Sequence, residues 1–176
     1  MTWVVLTAAA CQQIREGAAP SSTQVWLVDD GYHNALIAPR EAIFFDPLLD
    51  HMGSAAQHPW VEVSLSERAW VLGIDRSSLR ALQMLVDPGQ AVITFQYHQS
   101  LNAALGSRRV RSWTWADEEL TRWNRFLEAW SDLEQPVERL GGSQPVYMVR
   151  SSYPYTLLRN CRAFTAESLR AASASS

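Results

Sequence analysis

Asn160-Cys161-Arg162-Ala163-Phe164-Thr165-Ala166-Glu167-Ser168-Leu169-Arg170 is the stretch on which the reading of this chain turns. Asn160 is a strong helix N-cap, which places Cys161 in the first helical turn. Phe164, Thr165, Ser168 and Leu169 then fall on the same stripe as the cysteine, while Glu167 and Arg170 point away, so the thiol faces the body of the protein. Unpaired backbone N–H groups and the helix dipole favour an anion at that position, and Arg159 and Arg162 add positive charge. This environment lowers a thiol pKa, and the same N–H groups suit the oxyanion of a tetrahedral intermediate. The alternative is a small core hydrophobe, a common fate for a free cysteine.

A nucleophilic thiol needs a base, and the best placed histidine lies near the other end of the chain. Tyr32-His33-Asn34-Ala35-Leu36-Ile37-Ala38 reads as a strand, joined through the turn signal Asp29-Asp30-Gly31 to an earlier strand over Gln24 to Val28 and closed by Pro39. His33 shares its face with Ala35 and Ile37, which leaves room for another side chain. It is either the base or a hydrogen-bonded structural histidine. Trp60 to Ser66 also alternates, with Trp60, Glu62, Ser64 and Ser66 on a wetter face and Val61, Val63 and Leu65 on the other. Glu62 is either a solvent-facing strand residue or the acceptor that fixes the imidazole tautomer, the third member of a triad.

The remaining pattern predicts an α+β fold. Strands are expected at Gln90 to Tyr97, Val110 to Trp115 and Pro145 to Arg150, with a short helix or covering loop over Arg40 to Leu49 and a helix over Ser77 to Val86. Thr114 and Asp117 suggest a capping box for a long amphipathic helix to about Leu133, burying Leu120, Trp123, Leu127 and Trp130. Gln135 to Ser143 reads as a loop, Ser151 to Leu158 as a tyrosine-bearing connection, and the last helix runs from Asn160 to about Ala172. Runs of strands interrupted by few helices indicate a mainly antiparallel sheet rather than a doubly wound parallel one.

Composition narrows the function. With 176 residues, 47% of them hydrophobic, and eight tryptophans, the chain fits one domain with a real core. The net charge of −3 has interspersed signs and forms no basic stripe for a nucleic-acid backbone. His51, His58 and His98 lack metal-ligand spacing, and there is neither a Gly-rich phosphate loop nor a nucleophilic-serine elbow, so no cofactor or metal is expected.

The N-terminal run Met1 to Cys11 resembles a bacterial lipoprotein signal, with small residues directly before the cysteine that would be lipidated. The competing reading is an N-terminal strand or helix turn with a buried cysteine, or a Cys11–Cys161 disulfide in an oxidising compartment. On the lipoprotein reading, residues 1–22 are signal and tether, 23–172 form the single domain, and 173–176 are a disordered tail. The run is too short to span a bilayer as a helix, so contact with the membrane would be through the lipid anchor only, on the periplasmic side of the cell envelope.

The early histidine, the following polar strand and the late Asn160-Cys161-Arg162-Ala163-Phe164 resemble the circularly permuted branch of the NlpC/P60 superfamily, a papain-like group in which histidine precedes cysteine along the chain. Gly31 to Pro39, Trp60-Val61-Glu62-Val63, Val110 to Trp130 and Cys161 through Ala172 are similar to a bacterial family of hypothetical proteins from urease gene regions. The resemblance implies Cys161 as nucleophile, His33 as base and Glu62 as third polar residue. It departs from that family at Tyr32 and Asn34, where tryptophan and threonine are expected, and after Trp60, where a glycine-rich aromatic stretch is replaced by Ser64-Leu65-Ser66-Glu67. It implies an envelope cysteine hydrolase or acyltransferase acting on a peptidoglycan peptide or a lipid acyl group. The alternative from another class is a non-catalytic envelope binding module that keeps the fold. In the native host, mass spectrometry is expected to find an acyl group on Cys11 and residues 1–10 removed; an intact Met1 with unmodified Cys11 would defeat the lipoprotein assignment.

Overall fold

The computed structural model describes residues 22–44, 57–74, 83, 87–141 and 144–174. Cys11, its signal and tether, most of the expected helix over Ser77 to Val86, and His51 lie outside the described residues. Seven strands form one sheet: β1 (Ser22–Asp29), β2 (Asn34–Pro39), β3 (Trp60–Glu67), β4 (Ala91–His98), β5 (Arg109–Ala116), β6 (Glu138–Leu140) and β7 (Val146–Arg150). Their spatial order is β5-β1-β2-β3-β4-β7-β6, and every neighbouring pair is antiparallel. Among the described residues the helices are α1 (Arg68–Val71), α2 (Leu101–Leu105), α3 (Asp117–Trp130) and, after β7, α4 (Cys161–Ser173), with a 3-10 turn at Arg40–Ala42. The expected α+β architecture with an antiparallel sheet is therefore observed.

Alternation along the strands builds two apolar layers. Leu36 and Ala38 of β2, Val61, Val63 and Leu65 of β3, and Ile93, Phe95 and Tyr97 of β4 face the larger core, which α3 and α4 cover. There Leu120, Trp123, Leu127 and Trp130 are buried as the helical spacing predicts. Trp130 and Phe164 meet edge to face at 5.2 Å between ring centroids, fastening α3 to α4. Trp26, Val28, Ala35 and Ile37 face the other way, under Ala104 and Leu105 of the α2 segment.

Three sequence expectations are corrected here. β2 begins at Asn34, so His33 ends the β1–β2 turn rather than standing in mid-strand. The cause is local: Asp30 Oδ1 accepts from the N–H groups of both Tyr32 and His33, at 2.8 and 2.7 Å, which holds the chain in a turn one residue longer than the strand pattern suggests. Gly31 takes φ = 96°, a left-handed value that favours glycine. Second, β3 is buried on both faces, because it is central in the sheet and α2 covers the side expected to be wet. Third, α3 is capped at Ala116 rather than at Thr114; Glu119 Oε2 reaches back to the Ala116 N–H at 2.8 Å, and the helix stops at Trp130. The short β6 lies in the stretch read as a loop, a strand too brief to leave a periodic signal.

Asn124, buried mid-helix in α3, ties the 3-10 segment to the helix layer. Its Nδ2 donates to the carbonyl oxygens of Ala42 and Leu120, both at 2.9 Å, and its Oδ1 accepts from Phe44 N–H at 3.0 Å. Asn124→Ala strands two backbone groups of that segment and is expected to cost about 2 kcal/mol, seen as a fall of about 6 °C in thermal midpoint by calorimetry.

Candidate active site

α4 starts where the sequence places it. Asn160 Oδ1 accepts from Arg162 N–H at 3.0 Å and Ala163 N–H at 3.1 Å, satisfying two of the orphan donors of the first turn. Phe164, Thr165 and Ser168 are buried on the Cys161 stripe, and Arg170 is exposed. Cys161 is itself buried, at 3% exposure, and carries a free thiol.

Its sulfur is seated against the end of β2 and the preceding turn. Sγ lies 3.9 Å from the carbonyl oxygen of Tyr32, and the His33 imidazole and the Asn34 backbone N–H stand near enough to act on the charge of the thiol. Arg162 Nη2 donates to the Gly31 carbonyl at 2.5 Å, pinning the first turn of α4 to the β1–β2 turn. The structure thus seats Cys161 against the turn that carries His33.

Tyr155, which sequence reasoning passed over, completes the set. Its hydroxyl stands beside the start of α4 and interacts electrostatically with the Cys161 thiol. Tyr155 is braced by a bridge with Gly89, with Gly89 N–H to Tyr155 O at 3.1 Å and Tyr155 N–H to Gly89 O at 2.8 Å. A Cβ at Gly89 would stand 2.7 Å from Glu67 Cγ, so the close approach of this bridge to Glu67 requires glycine. A single tyrosine in a loop has no periodicity that would mark it; only the folded path sets it beside the sulfur.

Electrostatics shift the thiol and imidazole pKa values toward one another. Burial raises the Cys161 thiol pKa, but the His33 hydrogen bond, the Asn34 N–H, the His33 charge and the Tyr155 hydroxyl outweigh it and bring the thiol below its ordinary value. Burial lowers His33, yet the hydrogen bond and charge of Cys161, then the carboxylates of Glu62 and Asp30, hold it above the ordinary imidazole value. Burial raises Tyr155 well above the usual phenol range, reinforced by the neighbouring thiolate, so it remains a donor.

Glu62 does not take the part expected of it. On β3 it pairs with Ile37, hence it lies on the α2 side of the sheet, and the structure gives it no hydrogen bond to His33. Its carboxylate is instead bound by Arg108 Nη1 at 2.6 Å and Nη2 at 2.8 Å, and by His98 Nε2 at 3.1 Å. Arg108 also donates to the Ala104 and Leu105 carbonyl oxygens at the end of α2. Glu62 therefore reaches His33 only through space. His58 is buried just ahead of β3.

Above the dyad is an open cleft of about 470 Å³ lined by Asp30, Tyr32, His33, Ser66, Glu67, Trp70 and Tyr155. His33 and Tyr155, which act on the charge of the thiol, are on its wall. Compared with protein-family models, with curated proteins and with solved structures, the chain matches none.

The Glu62 network makes a pH prediction. Burial raises this carboxyl, but the Arg108 and His98 hydrogen bonds overcome it and hold the pKa at about 2 against an ordinary 4.5. A depressed folded-state value means stability fully present above about 4.5 and lost as the pH falls toward about 2. Denaturant titrations of the wild type should weaken through that window, and Glu62→Gln should flatten the dependence. Glu62→Ala, which leaves Arg108 and His98 without their anion, is expected to cost about 3 kcal/mol at neutral pH.

Proposed function

We propose that the chain is a cysteine hydrolase or acyltransferase of the permuted NlpC/P60 kind, with Cys161 as nucleophile and His33 as base. The observation that carries this reading is a thiol in the first turn of a capped helix, seated against the turn that carries His33, beside a cleft lined by His33 and Tyr155. The order of His33 before Cys161 and the packing of the cysteine helix on an antiparallel sheet support the family assignment. On this reading the cell envelope is the location, with Cys11 as lipid anchor.

In the reaction, His33 accepts the thiol proton, and the thiolate attacks the carbonyl carbon of an amide or ester from the cleft side. Charge moves to the carbonyl oxygen, for which the Tyr155 hydroxyl on the cleft wall is a donor. Collapse of the tetrahedral intermediate breaks the C–N or C–O bond while the His33 imidazolium returns the proton to the leaving amine or alcohol. Water or an acceptor nucleophile then opens the thioester, again deprotonated by His33. Peptidoglycan stem peptides and lipid acyl groups both present the required carbonyl. Glu62 and Asp30 favour the protonated imidazole by their field, and Asp30 also fixes the turn that carries it.

Iodoacetamide should alkylate Cys161 well below the pH of a free thiol, and His33→Ala should move that titration upward. A thiol that titrates ordinarily in the folded protein and ignores His33→Ala would leave the non-catalytic binding module as the better account. Tyr155→Phe separates binding of the oxyanion from activation of sulfur: acylation by a p-nitrophenyl ester should fall about a hundredfold, whereas alkylation, which forms no oxyanion, should change far less.

A further inference from the structure

We propose that the rim of the Cys161 cleft docks on an anionic lipid bilayer. Residues 156–160 form a tight turn directly ahead of α4. Thr156 N–H donates to Arg159 O at 2.9 Å, Arg159 N–H to Thr156 Oγ1 at 2.9 Å, and Asn160 Nδ2 to Leu157 O at 2.7 Å. The tip of this well-bonded turn is Leu157-Leu158, 61% and 84% exposed. A turn built to hold two leucines in water is the reverse of what folding alone favours.

Neighbouring segments repeat the pattern. Tyr32, 95% exposed, stands on the β1–β2 turn that Arg162 ties to α4. Trp70 is on the cleft wall in α1, and exposed Ile74 follows that helix. Five of the eight large apolar side chains exposed among the described residues thus lie on three segments bordering one cleft.

The cations select the partner. Arg159 and Arg162 flank the leucines and are exposed; the Arg159 guanidinium sits 4.6 Å above the Tyr153 ring, which holds it in place. Arg109 and Arg111 are exposed on β5, whose Arg109 end pairs with Asp29 beside the Tyr32 turn. The carboxylates here are engaged: Asp29 with Arg109 at 2.9 Å, Asp30 with two backbone N–H groups, and Glu67 with the first turn of α1. Protruding leucines with tyrosine and tryptophan, surrounded by arginine, match the headgroup and upper acyl region of an anionic membrane. A convex tip of two leucines inserts into lipid but buries little against a flat protein face. Docked in this way, the cleft opens toward the membrane, and the carbonyl it receives belongs to a membrane-borne acyl group. That choice of substrate rests on the thiol chemistry proposed above; the docking does not.

The test uses the full-length chain carrying Cys11→Ser, so that no acyl anchor forms, sedimented with vesicles of phosphatidylcholine alone or mixed with phosphatidylglycerol. Binding should require the anionic lipid and weaken with added salt. Leu157→Ser with Leu158→Ser should weaken it at least about tenfold, and Arg159→Gln about fivefold; an unaltered iodoacetamide titration of Cys161 checks folding of the leucine variant, and an unaltered cooperative thermal transition checks folding of Arg159→Gln. Equal sedimentation of the parent and the leucine variant, no binding by either, or a leucine-dependent dimer in sedimentation velocity without vesicle binding would overturn the proposal. Leucine-dependent binding together with a thiol that ignores His33→Ala would uphold the docking and reject the thiol chemistry; the opposite pair of results would reject the docking alone.

Discussion

The seat of α4 on the β1–β2 turn is the contact on which the site depends. Arg162 binds the Gly31 carbonyl, Cys161 lies against Tyr32 and Asn34, and His33 is carried on the same turn. Arg162 and Gly31 are 131 residues apart in sequence, so their meeting requires that the sheet and the α3–α4 layer be already formed. The turn is correspondingly over-determined. Asp29 and Asp30 together accept three backbone N–H groups within it, and Gly31 supplies the left-handed residue. A looser turn would let the imidazole drift from the sulfur.

Beneath that seat, on the other side of the sheet, a buried ion pair serves a different purpose. Glu62 sits in the middle of the sheet and would be a costly charge were it not held by Arg108 and His98. Because Arg108 also takes the last carbonyls of α2, the network clamps that short helix over β3 and keeps water from its polar face. Its effect on His33 is a field through the sheet rather than a contact. The carboxylate that a triad analogy assigns to catalysis is in this fold first a structural anion.

The cleft combines two chemistries. Its inner wall presents His33 and Tyr155, both of which act on the charge of the Cys161 thiol. Its outer rim is apolar and arginine-flanked, with side chains that the protein holds out by dedicated hydrogen bonds. The strain-free backbone of the rim, with positive φ among the described non-glycine residues nowhere observed, shows that this exposure is built from ordinary turns.

Much of this was legible in the linear chain. The period of two in Trp60 to Ser66, the period of 3.6 in α3, and the cap at Asn160 are local signals, each set by a few neighbouring residues, and they marked the antiparallel α+β fold and the position of Cys161 at the helix start. His33 and Cys161 were identifiable because their residue types are rare in such contexts and chemically specific. The partner of Glu62, the length of the His33 turn and the role of Tyr155 were not. An alternating strand carries no mark of whether its polar face meets water or another helix; that depends on α2, which is too short to announce itself. Arg108 stands in an arginine-rich stretch that reads as solvated charge until Glu62 is found opposite it. Tyr155 acquires its hydroxyl partners only when the Gly89 bridge and the N-terminus of α4 converge in space. Local pattern therefore determined which elements form, and long-range packing alone decided which polar groups meet, because a hydrogen bond between distant residues leaves no period in the sequence.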